Sequence, residues 1–412
     1  MKNTVEQQVM LEIMSIYFGK INESKLEDLA SRCNFAELDR LTEITGMGGF
    51  IYSTISTGLI KAIFPKTYVS NLRKRAGVIT LRNSFISKNG LEIIKLFNDN
   101  NIDYILVKGI TVFWHLYDDE TLRAVSDLDF LIRRDHYHKL SKLLEDRGFY
   151  YPRNEFAAMN LIITREEFES GGCEISFVKD TFPFKTSIDV HFDLSGFKKM
   201  QSVMHLLYPM SKFDWFGNTR TIEINNCSVT CLNFEMSLLH MIYHFSIHHS
   251  FMGLKWLLDI CQMIVKHNDV IDWDKFYKTV ENANIKRLVG ISLGMVNEIT
   301  GVESFGEYDL KDFLNNGINL NIYKRMMFED THALKAKVIG KVVKALLPVS
   351  FADKIKILRH YIFETTAINH RIKYDMGKSI SLLQPFKLVW IILKEMFPKR
   401  KQNEISKDYT KL

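Results

Sequence analysis

YILVKGITVFWHLYDDETLRAVSDLDFLI, residues 104–132, decides how the rest of the chain is read. It opens as an apolar strand, turns at Lys108-Gly109, passes through a helix-like interval and closes in a second apolar strand that carries an Asp-x-Asp pair. From Val125 to Ile132 the pattern has period two, which predicts Asp127 and Asp129 on one face and Leu128 and Phe130 on the other. Two residues of strand span roughly 6.6 Å, so both carboxylates reach a shared cluster of hard cations. Like charges held that close repel unless a cation or a strong donor set lies between them. Replacing either aspartate is therefore expected to relieve repulsion in the metal-free protein. A solvated pair on an edge strand is the plainer account, but aspartate is disfavoured in strands and two at this spacing need a reason.

The stretch SIDVHFDL, residues 187–194, repeats the alternation, with Asp189, His191 and Asp193 on one face and Ile188, Val190 and Phe192 on the other. Three carboxylates on neighbouring strands can hold two Mg²⁺ ions about 3.5–4 Å apart, the arrangement used in phosphoryl chemistry. Asp189 is the expected third member, because an unpaired charge in mid-strand is costly. Asp193 lies beside Ser195-Gly196 at the strand end, where a carboxylate is readily solvated. Lys108 and Gly109 either make a tight strand-to-helix turn or bring backbone close to a phosphate in front of the next helix. His191 shares the face of Asp189 and either orients the carboxylate, contacts substrate or simply packs.

This order of LVKGI, an intervening helix, RAVSDLDFLI, a helix closing in DRGF and the strand SIDVHFDL resembles the polymerase-beta superfamily of nucleotidyltransferases. It is most similar to the poorly characterised branch often encoded in bacterial surface-polysaccharide gene clusters. The similarity continues into LNFEMSLLHMIYHFSIHHSFMGLKWLLDICQMI, IDWDKF and LLPVSFADKIKILRHYIF. The resemblance implies an α+β fold, a small mixed-sheet core flanked by N-terminal and C-terminal helical regions. It also implies that Asp127, Asp129 and Asp189 are catalytic residues and ligands of Mg²⁺, with Mn²⁺ as an alternative. The substrate would be a nucleoside triphosphate, and the acceptor a hydroxyl on a small molecule, glycan or macromolecule. Lys108, Gly109, Arg123, Ser126, His191 and His244 are the expected substrate-side residues. Arg123 is placed at the rim, where a guanidinium grips phosphate in bidentate fashion, although a surface role serves it equally; Ser126 also suits closing the turn into the strand. The chain departs from the usual Gly-Gly or Gly-Ser with Gly109-Ile110, and its gap to Asp-x-Asp is long. Lys108 compensates in this reading, as a lysine before the glycine does in toxin-type relatives.

At 412 residues, 46% hydrophobic and 25% charged, the chain has the composition of an ordinary folded protein. Helix-period segments occupy residues 1–90, the nucleotidyltransferase core spans 91–232, and 233–412 turns helical again. The net charge of +6 is spread out, without a dense basic block before PKRK at 398–401. This lowers the alternative of a toxin-like enzyme acting on tRNA. A non-catalytic nucleotide- or partner-binding module on the same fold is the other alternative. Five cysteines, at 33, 173, 227, 231 and 261, form no CxxC pair, and the N-terminus lacks an export signal's apolar core. Both features favour a cytoplasmic protein. The stretch ISLLQPFKLVWIILKEMF is too interrupted to span a membrane, though with PKRK it suits peripheral contact with an anionic one. His240, His244 and His248 recur every four residues on one helical face. Without an HExxH glutamate or nearby paired cysteines, cavity lining is favoured over zinc, and His244 with Trp256 and Asp259 is expected to wall the cleft.

Overall fold

The structure, a computed structural model, describes residues 3–56, 59–151, 174–194, 213–313, 320–329 and 340. Its N-terminal layer comprises α1 (Val5–Tyr17), α2 (Glu23–Ser31), α3 (Phe35–Ile44) and α4 (Gly48–Ser56). Thr4, Asn22 and Asn34 cap the first three, each accepting a backbone N–H with its side-chain oxygen. The run AELDRLTEITGMGGFIYSTI, uniformly helical by periodicity, breaks into α3 and α4 at Gly46, whose φ is +68°.

α5 (Lys66–Asp99) then runs for 34 residues, about 51 Å at the helical rise. The boundary expected at residue 90 falls inside it. Chain contacts gather residues 1–336 into one compact unit, so neither 90 nor 232 separates domains. The physical reason is that α5 packs against α4 at one end and the sheet at the other.

The sheet is built from β1 (Tyr104–Val107), β2 (Leu128–Ile132), β3 (Glu174–Lys179), β4 (Thr186–His191), β5 (Thr219–Ile224) and β6 (Cys227–Leu232). Helices α6 (Ile110–Leu116) and α7 (Tyr137–Asp146) fall between β1 and β3. The strand order is β3-β4-β2-β1-β6-β5. β1 is antiparallel to β2 and parallel to β6, β2 is parallel to β4, and β3/β4 and β5/β6 are antiparallel. The chain is therefore α+β with a mixed six-stranded sheet, as expected.

β2 is buried along its whole length rather than on alternate residues. α5 covers the apolar face, where Phe130 meets the edges of Phe97 and Tyr104 at 5.0 and 5.6 Å between ring centroids. The approach is close at Gly90, where a Cβ would lie 3.0 Å from Leu128 Cδ2. α8 (Phe234–Tyr243), a π-helical turn (His244–His248) and α9 (Leu254–His267) follow the sheet. α8 packs on β6, and α9 on both α8 and α6. Asn233 is the N-cap of α8, as its position predicts, accepting from Met236 N at 3.0 Å. Further on are α10 (Trp273–Asn282), α11 (Lys286–Thr300), the two-residue strands β7 (Ser304–Phe305) and β8 (Tyr308–Asp309), α12 (Leu310–Phe313) and α13 (Leu320–Met326). β7 and β8 pair as a small antiparallel hairpin. No helix among the described residues is long and apolar enough to cross a membrane. The C-terminal segments read as similar to the family and as membrane-facing lie outside the described residues.

The loop that delivers β2 is held from α5 by Asn83. Its fully buried amide donates to the carbonyls of Glu120 and Arg123, both at 2.7 Å, and accepts from Val125 N at 2.9 Å. Leaving those backbone groups unmatched in the interior costs on the order of 3 kcal/mol. Asn83→Ala should destabilise the chain by that amount in denaturant unfolding; an unchanged midpoint would mean that the loop is held by other contacts.

Candidate active site

Sheet register creates the site. On adjacent parallel strands Asp129 pairs with Asp189, and on the antiparallel side Asp129 pairs with Val107, the residue before Lys108. The Lys108-Gly109 turn therefore passes directly over the aspartates. A Cβ on Gly109 would lie 3.3 Å from the Asp127 carbonyl oxygen and 3.4 Å from Asp129 Oδ2, and φ is +53°. Glycine is required there on both counts.

The carboxylates occupy different electrostatic settings. Asp129 is 1% exposed, and its Oδ1 accepts from Lys108 Nζ at 2.9 Å and contacts His191 Nε2 at 3.0 Å. Burial would raise its carboxyl, but Lys108 and His191 hold it down at about 2. Among the described residues, Asp127 accepts a side-chain hydrogen bond from the Ser126 hydroxyl at 3.0 Å. Burial and neighbouring Asp129 leave it above the ordinary carboxylate range despite Lys108. Asp189 is pushed up to about 7, by burial and then by Asp129, Glu174 and Asp127.

Glu174 on β3, which the sequence reading missed, pairs in register with His191, and its Oε2 lies 3.7 Å from His191 Nδ1. Burial opposes charge on that ring, yet Glu174 and Asp129 raise its titration above the ordinary value. Four carboxylates thus surround one lysine and one histidine. An all-oxygen acidic set fits a hard divalent cation. The ligand atoms of Asp127, Asp129 and Asp189 do not all close to within 4.8 Å of one another among the described residues. Lys108 and His191 together form the donor set that like-charge crowding demands.

The family model described as an uncharacterised nucleotidyltransferase matches residues 32–301. The chain belongs to that family. No curated protein and no solved structure matches it.

Within this nucleotidyltransferase two expected placements, of Arg123 and of Asp193, differ from what the sequence led one to expect. Arg123 is not at a rim: it is 3% exposed and its guanidinium grips Asp259 of α9, with Nε at 2.9 Å from Oδ1 and Nη2 at 3.0 Å from Oδ2. Tyr117 donates to the same carboxylate at 2.7 Å, and the guanidinium lies 4.9 Å from the Trp256 ring centre. The reason is the fold: the loop from 117 to 127 runs beneath α9, where an unpaired arginine would be costly. Asp193, expected to be solvated, lies past the end of β4 and is 4% exposed. Its strand position takes it away from the Asp129-Asp189 register.

Besides Lys108, a second cation near Asp127 is Lys255, at the start of α9, with Nζ 4.4 Å from the Trp256 ring centre. Burial and then Arg123 draw its amine down to about 8, against the pull of Asp259 and Asp127. A lysine two residues into an apolar helix carries no sequence signal of its own. His244 is buried and packs edge-on against Trp256 at 4.7 Å between ring centroids. The face shared by His240, His244 and His248 is altered, however, because the helix opens into the π turn and brings His249 in place of His240.

Proposed function

We propose that this chain transfers a nucleoside monophosphate from a nucleoside triphosphate to a hydroxyl acceptor, with Asp127, Asp129 and Asp189 as ligands of Mg²⁺ or Mn²⁺. The observation that carries the proposal is the in-register Asp129-Asp189 pair beneath the Gly109 turn, with Asp127 two residues away and more carboxylate than local cation. Bound divalent ions would neutralise that excess and stabilise charge on the attacking and leaving oxygens.

The residues divide the remaining work. The acceptor oxygen attacks the α-phosphorus, the bond to the β-phosphate oxygen breaks, and pyrophosphate departs with that electron pair. The acceptor's proton passes to the Asp189 carboxylate. His191 fixes the orientation of Asp129 through Nε2. Gly109 leaves clearance for phosphate over the aspartates. Lys108 moves its charge from Asp129 to the triphosphate once cations are bound, and Lys255 supplies positive charge near Asp127 in the role first assigned to Arg123. Titrating each nucleoside triphosphate into the full chain with and without Mg²⁺ tests the reading; affinity that does not depend on the metal would sink it.

Lys108 gives a prediction with two signs. Lys108→Met should weaken triphosphate binding by about 1–3 kcal/mol. Measured without nucleotide, Mg²⁺ should bind more tightly, because the ammonium no longer competes for Asp129 Oδ1. Calorimetric titration of both ligands checks this, and unchanged triphosphate affinity would remove Lys108 from the phosphate site.

A further inference from the structure

The segment that follows α8 carries a second set of ligand side chains that the nucleotidyl-transfer reading does not use. In the π turn His249 N donates to His244 O at 2.9 Å, a five-residue step. That wider step sets residues 248 and 249 together one turn beyond 244. The same four-residue spacing in a regular α-helix would favour only 248. As a result one ring nitrogen from each of His244, His248 and His249 lies within 4.8 Å of the others. The rings gather closely: His244 and His248 are stacked with centroids 4.9 Å apart, and His249 meets the edge of His244 at 4.4 Å. Trp256 backs the group, stacked on His249 at 4.8 Å. Ser250 and Phe251, both at positive φ, turn the chain immediately after it.

We infer that His244, His248 and His249 form a binding site for a borderline transition-metal dication of the zinc class, next to the carboxylate site but with its own ligands. Three imidazole nitrogens and no thiolate suit Zn²⁺, Ni²⁺ or Cu²⁺ and not Mg²⁺. Zn–N bonds of about 2.0–2.1 Å in a tetrahedral site set ligand nitrogens about 3.3 Å apart, so the rings draw together on binding. The ring arrangement gives three protein ligands and leaves a fourth position for an exogenous donor, the pattern of open rather than closed zinc sites. With no ligand carrying charge, the bound dication would draw an anionic oxygen into that position. His248 is exposed and His249 partly so, which gives the ion a route in.

The test uses untagged full-length chain, stripped with a chelator and titrated with Zn²⁺ in excess Mg²⁺, so that the carboxylates are saturated. One Zn²⁺ per chain with micromolar or tighter affinity is expected, and Co²⁺ in its place should give the visible absorption of a four-coordinate site. His248→Ala with His249→Ala, both on the accessible side, should weaken Zn²⁺ binding at least a hundredfold while Asp129→Asn leaves it unchanged. No binding, millimolar binding, or binding lost in Asp129→Asn and kept in the double histidine variant would each overturn the assignment. Because Zn²⁺ affinity is read without nucleotide, the site can stand if nucleotidyl transfer fails.

Discussion

Asp129→Asn is expected to abolish Mg²⁺-dependent nucleotide binding and also to lower the stability of the metal-free protein by about 3 kcal/mol, the low end for breaking a buried ion pair, since the amide oxygen still accepts one hydrogen bond. The cause is that Lys108 and His191 both rest on the Asp129 carboxylate. Its carboxyl is held at about 2, below the ordinary range, so its stabilisation is complete above that range and is lost as pH falls towards 2. The gap between parent and variant should close over the same interval. Asp127→Asn should lose nucleotide binding as well, yet its metal-free stability should stay level or rise, because Asp127 is held above the ordinary value by burial and by Asp129. Asp189 behaves like Asp127 in this respect. Its raised titration at about 7 is a penalty that grows as pH climbs from the ordinary value through 7, so Asp189→Asn should be the more stable form above that pH. Denaturant unfolding in chelator at several pH values separates the three. Equal behaviour of Asp127→Asn and Asp129→Asn would mean that simple crowding governs both.

Arg123→Ala should cost about 3–5 kcal/mol, the usual effect of removing one partner from a buried ion pair. Asp259 would be left buried with the Tyr117 hydroxyl as its hydrogen-bond donor among the described residues. The double variant Arg123→Met with Asp259→Leu should recover most of that loss, since neither charge then remains to be solvated. Thermal or denaturant unfolding reads both. An Arg123→Ala protein of parental stability that has lost triphosphate affinity would put the guanidinium back on phosphate, contrary to its burial.

The sheet was legible because its strands carry period-two patterns bounded by turn residues. TRTIEI and CSVTCL are β5 and β6 as their patterns predict. Asp127, Asp129 and Asp189 stood out because a carboxylate in an apolar strand contradicts local preference. Glu174 did not, since a single acidic residue opening EISFVK reads as an ordinary solvated end. The role of Arg123 was hidden by distance: its partner lies 136 positions along the chain, and no local pattern encodes such a pairing. Crowding of the aspartates was foreseen, but its unequal relief was not, because it depends on which oxygen Lys108 and His191 reach. Of the histidine group, His249 was missed because its place beside His244 and His248 rests on one π turn, a deviation from the 3.6-residue period that periodicity assumes.

α5 has a mechanical consequence. It leans on α4 at one end, touches Leu128 through Gly90, and through Asn83 grips the loop that leads to Asp127. An unbroken helix has no hinge between these points, so the N-terminal layer and the aspartate strand are one lever arm rather than a module and its accessory. Excising the sheet at residue 90 would sever the arm near its tip and cut away Asn83, which holds the loop leading to Asp127.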